Sequence, residues 1–462
     1  MKRRQNYKTF AYLWGIFLLL PLFLIACTPK NKTEEPNLPP KDIETKVPEE
    51  AEKGVTDMEK IVSNPLKPFP QHTNYGEGII KPNHITQKDM DESTGKLYDE
   101  WKKKYIKERP DKKGQYYVWY SDGEWFKNGT GEERIASTVS EAHGYGMLIT
   151  VIMAGYDDFA KQLFDGMFYY FKDHPSSINP NLMAWQQGIK DGKVIKIGGD
   201  DCATDGDMDI AYSLLMADKQ WGSDGQINYL EEGKLVINAL MDNCVDQNEW
   251  FLRIGDWASS GSYSKLTRTS DFMLQHMRAF RDATQDERWD QVIDKTYDII
   301  KEVYHNNSES TGLMPDFLRI NNGAAEVPEK SVLESEYDGS YNYNACRTYW
   351  RIGTDYIMNK EARAEEPIRT LNQWIISDTE GNPANIKSGY FLDGMPLPNR
   401  NYTDITFSSP FLISAMADEE YQDWLNHLWD YNLRPQTQSN YYFGNTIRLL
   451  NYITVSGNWW TP

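Results

Sequence analysis

Five carboxylates fall within ten residues in the run Asp200-Asp201-Cys202-Ala203-Thr204-Asp205-Gly206-Asp207-Met208-Asp209, directly ahead of an apolar stretch at 210–217. Acids at a helix start are stabilised by its free N–H groups and its dipole, but capping uses fewer than five. Asp205, Asp207 and Asp209 imitate the alternate spacing of a calcium loop. Its sixth position is Ile210 and its twelfth Met216, where such a loop needs glycine and a bidentate glutamate, so no metal is expected. A second candidate is Glu141 in Ser140-Glu141-Ala142-His143-Gly144-Tyr145-Gly146-Met147, a single carboxylate at the edge of an apolar, glycine-containing helix. Partial burial there raises a carboxyl pKa and keeps it protonated near neutrality, which suits a general acid. His143 reads as satisfying a local hydrogen bond rather than as a base or ligand. A third acidic stretch, Leu333-Glu334-Ser335-Glu336-Tyr337-Asp338, leads into Asn342-Tyr343-Asn344-Ala345-Cys346-Arg347. By spacing alone it reads as a solvated acidic loop running into a helix, with no one carboxylate marked out as catalytic.

The elements that must position these groups are helices. Ile293, Tyr297 and Ile300 share one helical face, with Asp294, Lys295, Asp298 and Lys301 outside it. Similar periodicity predicts helices over 271–283, 362–376, 419–430 and 441–452, and helices buried all round at 144–154 and 210–217. Alternating strand pattern is confined to the neighbourhood of 116–119. About a dozen candidate helices with no interior linker describe one all-α catalytic domain over residues 76–462. Residues 28–75, rich in Pro, Lys and Glu, read as a disordered spacer. Residues 1–27 read as a targeting segment: Lys2, Arg3 and Arg4, then an apolar run that ends in Leu24-Ile25-Ala26-Cys27. That ending resembles a bacterial lipobox, which makes Cys27 a lipidation site and the membrane a partner through its lipid. A plain membrane anchor is the alternative. Either expectation puts the catalytic body outside the cytoplasm, lipid-anchored on the extracellular face or secreted.

Composition narrows the partners. The formal net charge is −19, which repels rather than neutralises phosphates and argues against nucleic acid. An acidic surface keeps an exported protein soluble and could also recruit a cationic polymer. The chain has 15 Trp and 29 Tyr; most such rings close cores, while some can form flat platforms for sugar rings. Cys202, Cys244 and Cys346 are an odd set, so they form at most one disulfide, and burial as small hydrophobes is the expectation.

The run Ala203-Thr204-Asp205-Gly206-Asp207-Met208-Asp209-Ile210-Ala211-Tyr212-Ser213-Leu214-Leu215-Met216-Ala217, closed by Trp221, resembles the defining motif of glycoside hydrolase family 8. The Glu141 segment is similar to that family's acid-bearing helix. Asn342-Tyr343-Asn344-Ala345-Cys346-Arg347 with Trp350-Arg351-Ile352-Gly353-Thr354-Asp355 is similar to its third block. The resemblance covers most of residues 76–462. It implies an endo-acting, inverting hydrolase on an (α/α)6 barrel, needing no cofactor, with Glu141 as general acid and Asp205 beside the sugar at the cleavage point. It further implies Trp185 and Trp257 as stacking platforms, and Tyr343, Asn344 and Arg347 as substrate contacts. In the family's largest branch an aspartate at position 344 is the general base. Here Asn344 cannot accept a proton, and the branch resembling chitosanases and mixed-linkage β-glucanases takes a glutamate from the preceding loop. Glu334 is then the expected base, with Glu336 in reserve.

The expected substrate is a β-1,4-linked polysaccharide. Chitosan is favoured, because Asp200, Asp201, Asp207 and the loop glutamates would attract a cation. Mixed-linkage β-1,3-1,4-glucan and cellulose are the alternatives. A monomer is expected. A surface lipoprotein that binds glycans without cutting them is the competing class, since aromatic platforms and a tether serve it equally well. A scaffold in polysaccharide assembly has no repeat or second domain to support it.

Overall fold

The computed structural model describes residues 64–120, 125–127, 133–434 and 442–462. The targeting segment, Cys27 and the spacer up to residue 63 lie outside the described residues. The described residues from 64 to 332 and from 336 onward pack as one unit, and Leu333–Ser335 is described by itself.

Helices dominate. The first half carries α1 (Gln87–Tyr105), α2 (Ser140–Ile152), α3 (Ala160–Asp173), α4 (Thr204–Trp221), α5 (Tyr229–Asn243) and α6 (Leu274–Thr284). The second carries α7 (Arg288–Asn307), α8 (Thr348–Asn359), α9 (Ala362–Asp378), α10 (Ile405–Ser408), α11 (Phe411–Ala415), α12 (Gln422–Leu433) and α13 (Tyr442–Val455). Every residue of α2 is buried, and α4 and α13 are nearly so. In α7 only the stripe through Ile293, Tyr297 and Ile300 is buried, and Asp294 and Asp298 stay exposed. The difference sorts the helices into two rings. Helices α2, α4, α6, α8, α10–α11 and α13 contact one another in succession, while α3, α5, α7, α9, α12 and α1 each back one of them. This is an (α/α)6 barrel.

Two glycines set the spacing that matters for the site. A Cβ on Gly206 would lie 2.5 Å from the Ser140 carbonyl carbon and 2.7 Å from the Glu141 nitrogen. One on Gly144 would lie 2.8 Å from the Gly206 oxygen and 2.8 Å from the Asp209 Cβ. Only residues without a side chain let two helices approach this closely. The contacts advance together along both chains, so α2 and α4 run parallel with their N-termini level.

The expectation of almost no strand needs correction. β1 (Ile106–Glu108) pairs with β2 (Tyr116–Val118), the segment where alternation is visible. A four-stranded antiparallel sheet is added by β3 (Trp125–Lys127), β4 (Glu133–Val139), β5 (Gln186–Lys190) and β6 (Lys193–Lys196). A third sheet is formed by β7 (Leu266–Arg268), β8 (Phe317–Asn321) and β9 (Ala324–Glu326). These strands are short and several are polar, so no apolar alternation announces them.

The spacer also ends earlier than its composition implies. Residues 64–75 pack on the barrel: Phe69 is buried, and the amides of Leu66, Phe69 and Thr73 donate to Gln220, Ala154 and Gly457 carbonyls at 2.9, 2.7 and 2.7 Å. Gly76 and Ile80 continue the run with bonds to Ile357 and Met416. The acceptors sit at the C-terminal ends of α4, α2, α13, α8 and α11, where helix carbonyls lack partners of their own. Cys202, Cys244 and Cys346 are buried and form no disulfide; the Cys202 and Cys244 sulfurs are hydrogen-bonded at 3.6 Å.

Candidate active site

Strand β4 runs straight into α2, so Glu141 stands in that helix's first turn. Asp205 occupies the same place on α4, beside it. Neither acid caps its helix: the residue before α4 is Ala203, and Asp205 Oδ1 accepts from the adjacent Gly206 N–H at 2.9 Å. Both are buried, at 7% and 2% exposure.

Arg347, in a 3-10 turn just ahead of α8, joins them. Its Nη1 forms an ion pair with Glu141 Oε2, reaches Asp205 Oδ2 at 3.2 Å and donates to the Tyr145 hydroxyl at 3.1 Å. Its Nη2 donates to the Asn344 side-chain oxygen at 2.9 Å. The turn is held from behind by Asp316, whose Oδ1 accepts the amides of Asn342, Asn344 and Ala345 at 3.3, 3.0 and 2.6 Å. A carboxylate taking several backbone N–H groups fixes a loop firmly. Asn344 is thereby committed to orienting Arg347.

On its other side Asp205 meets Arg268, at the end of β7: Nη2 lies 2.9 Å from Asp205 Oδ1, and Nε lies 2.9 Å from Asp271 Oδ1. Three buried carboxyls thus share two guanidiniums. Burial pushes Glu141 up to about 7; Arg347 opposes this and the Asp205 charge adds to it. Burial would raise Asp205 too, but Arg268 and Arg347 outweigh it and hold that carboxyl below its ordinary range. Asp271 is raised to about 6 by burial, against the pull of Arg268. At neutral pH the arrangement offers one acid that can hold a proton beside one that stays ionised, which is the division of labour that acid catalysis on a glycoside needs.

Trp185 is half-buried. Its carbonyl accepts the Ser140 amide at 2.9 Å and its own amide donates to Asp201 at 2.8 Å, so it bridges the segments that lead into α2 and α4. Its indole lies against Gly199, whose φ of 65° and missing side chain leave room for it. Trp257 is half-buried in a 3-10 turn, edge-on to Tyr263. Tyr343 turns aside from Arg347: its hydroxyl is 3.2 Å from Asp404 and 3.4 Å from the Tyr402 hydroxyl. Glu334 is half-buried in the loop after β9, and Glu336 is exposed.

The chemistry-bearing cluster therefore unites Glu141, Asp205, Asn344 and Arg347, all singled out in the sequence, with Arg268, Asp271 and Tyr145, which were not. The Arg268-Thr269-Ser270-Asp271 spacing was the available signal, but on its own it describes any surface pair. His143 makes a hydrogen bond across to α3 in place of the expected local one, Nε2 to the Met167 carbonyl at 2.8 Å, and burial lowers its pKa to about 4. Asp207 departs from expectation. It is fully buried, accepts the Met183 amide at 2.8 Å and is pushed by burial well above the carboxylate range, so it presents no surface charge to a cationic polymer.

The family model for glycosyl hydrolases family 8 matches residues 94–456. The chain is 49% identical over 397 residues to a β-glucanase of Niallia circulans, covering 86% of this chain and 92% of that one. It is 40% identical over 403 residues to an endoglucanase of Bacillus sp. (strain KSM-330), covering 87% of this chain and 83% of the other. Among solved structures, the apo β-1,3-1,4-glucanase from Paenibacillus sp. X4 superposes with a TM-score of 0.80 at 48% identity, over 86% of this chain and all of that one. A cold-adapted family 8 xylanase shares the fold at a TM-score of 0.64 and 17% identity, over 80% of this chain and 91% of the other. With the barrel, the paired acids at its N-terminal rim and these likenesses in agreement, the chain belongs to glycosyl hydrolases family 8 and is a glycoside hydrolase.

Proposed function

We propose that this enzyme is an endo-acting, inverting hydrolase of β-1,4 bonds in mixed-linkage β-1,3-1,4-glucan. The observation that carries the chemistry is Glu141, a buried carboxyl raised to about 7 and held beside an ionised Asp205 by one arginine. The choice of glucan over chitosan is supported by the names of the 49% and 48% identical relatives and by the burial of Asp207.

Glu141 gives its proton to the glycosidic oxygen as the bond from that oxygen to the anomeric carbon breaks. Asp205 offsets the positive character that develops on the sugar. Arg347 then faces the newly formed Glu141 carboxylate and stabilises it. Glu334, assigned from the family resemblance, takes a proton from the water whose oxygen bonds to the anomeric carbon from the opposite face. Inversion requires acid and base roughly 6.5–9.5 Å apart to admit that water. Asn344, occupied with Arg347, leaves the base role to the loop glutamate.

The test is release of reducing ends from lichenan, carboxymethylcellulose and chitosan, with sedimentation binding in parallel. Lichenan should be cut fastest and chitosan not at all; preference for chitosan overturns the substrate. Glu141→Gln should lose about 10³-fold in rate yet still bind lichenan. A wild-type chain that binds without cutting would be a glycan-binding protein instead. Glu334→Gln should lose about 10²-fold or more while Glu336→Gln stays near native, and the reverse moves the base to Glu336.

A further inference from the structure

We propose that Arg268 and Asp271 form a positioning pair for Asp205, in which Arg268 orients the Asp205 carboxylate and keeps it ionised while Asp271 aims Arg268. This rests on the reading of Asp205 as the residue that stabilises the sugar's positive charge. The geometry is a relay of two contacts: Asp271 Oδ1 to Arg268 Nε at 2.9 Å, then Arg268 Nη2 to Asp205 Oδ1 at 2.9 Å. Asp205 Oδ2 belongs to Arg347 and its Oδ1 to Arg268, so each oxygen has its own guanidinium and the plane of the carboxylate is fixed.

Arg347 alone could not do this, because its Nη1 is divided among Glu141, Tyr145 and Asp205. Arg268 comes from β7 in the rim sheet, and Asp271 from the 3-10 turn that follows it. Arg268 and Asp271 are 6% and 1% exposed, which removes the solvent screening that would weaken the pair at a surface. The charged and titratable groups facing Asp205 are Arg268 from β7, Arg347 ahead of α8, Glu141 on α2, Asp207 and Asp209 on α4 itself, Tyr442 on α13, and Asp271 behind Arg268. As pH falls Asp271 is protonated before Asp205, and its carbonyl oxygen still accepts from Arg268 Nε.

The readout is the acid limb of kcat/KM against pH on the glucan substrate. Asp205 must be ionised, so weakening its cationic partner raises the pH at which activity fails. Arg268→Met should lower kcat about 10²-fold with KM within about threefold, and move the acid limb up by about one pH unit or more. Arg268→Lys should fall between this variant and wild type. Asp271→Ala takes away the acceptor that aims Arg268, and should move the limb the same way as Arg268→Met by a smaller amount. Graded upward shifts support the pair, since a purely structural contact leaves the limb in place. If Asp205→Asn is inactive while Arg268→Lys and Asp271→Ala both keep the wild-type limb, the positioning role is overturned even should Arg268→Met fail to fold. If Asp205→Asn stays fully active, the reading of the site falls, and the pair's role with it.

Discussion

Asp205 and Asp209 sit one turn apart on α4, both buried and both facing arginines, yet they belong to different kinds of region. Asp209 is closed off. Its two oxygens take both Nη groups of Arg351 at 3.0 and 2.6 Å, and His276 Nε2 adds a third contact at 2.8 Å. Burial lowers His276 to about 4, so at neutral pH the set is one carboxylate against one guanidinium and balances. Around Asp205 three carboxyls face two guanidiniums and do not balance. The surplus surfaces as a proton on Glu141 or Asp271. Buried charge that cancels makes a structural strut, whereas buried charge left one cation short keeps a titratable proton, and a proton is what a glycosidase needs.

The largest expected contrast is in turnover. Asp205→Asn should cost about 10³-fold in kcat, whereas Asp209→Asn should keep turnover per folded molecule within a few fold. Equal losses would erase the distinction between the two sets. Stability should sort them the other way. Arg351→Met strands Asp209 without its cation and should cost about 3–5 kcal/mol, read as a fall of several degrees in Tm, with the pH profile of the surviving enzyme unmoved. The smallest effect carries a sign. The ordinary value for Glu141 is 4.5 and its folded value about 7, so between those the folded chain binds more protons than the unfolded one. Stability from this group is therefore lost as pH rises from about 4.5 to 7. Glu141→Gln should match the wild-type stability near pH 4 and exceed it at pH 8 by on the order of 1–3 kcal/mol in unfolding free energy, read as a higher Tm. A variant less stable than wild type at pH 8 would mean that Glu141 is bound as a strut after all.

What could be read from the chain follows the range of the forces involved. The 3.6-residue repeat is local, so α7, α9 and α12 and the buried α2 and α4 were visible in advance. The rim strands were not, because Gln186–Lys190 and Lys193–Lys196 lack apolar alternation, although Asp191-Gly192 between them, both at positive φ, close a two-residue hairpin and were a local signal. Glu141 and Asp205 were legible from their motifs. Arg268 was not: its partner Asp205 is far away in sequence, and nothing in residues 266–271 records that they end up beside α4. The burial of Asp207 was missed for a related reason. A dense acidic run looks solvated until segments before and after it in the chain, here those carrying Met183 and Asp256, pack against it.

The girdle formed by residues 64–80 has a consequence for how the enzyme meets a long polymer. Its amides bind the C-terminal ends of the inner helices, while Glu141, Asp205 and Arg347 lie at the opposite, N-terminal ends. The polypeptide thus enters through the back of the barrel. An attachment made at residue 64 would therefore hold the barrel by the face opposite Glu141, Asp205 and Arg347, and leave those three side chains turned away from the point of attachment.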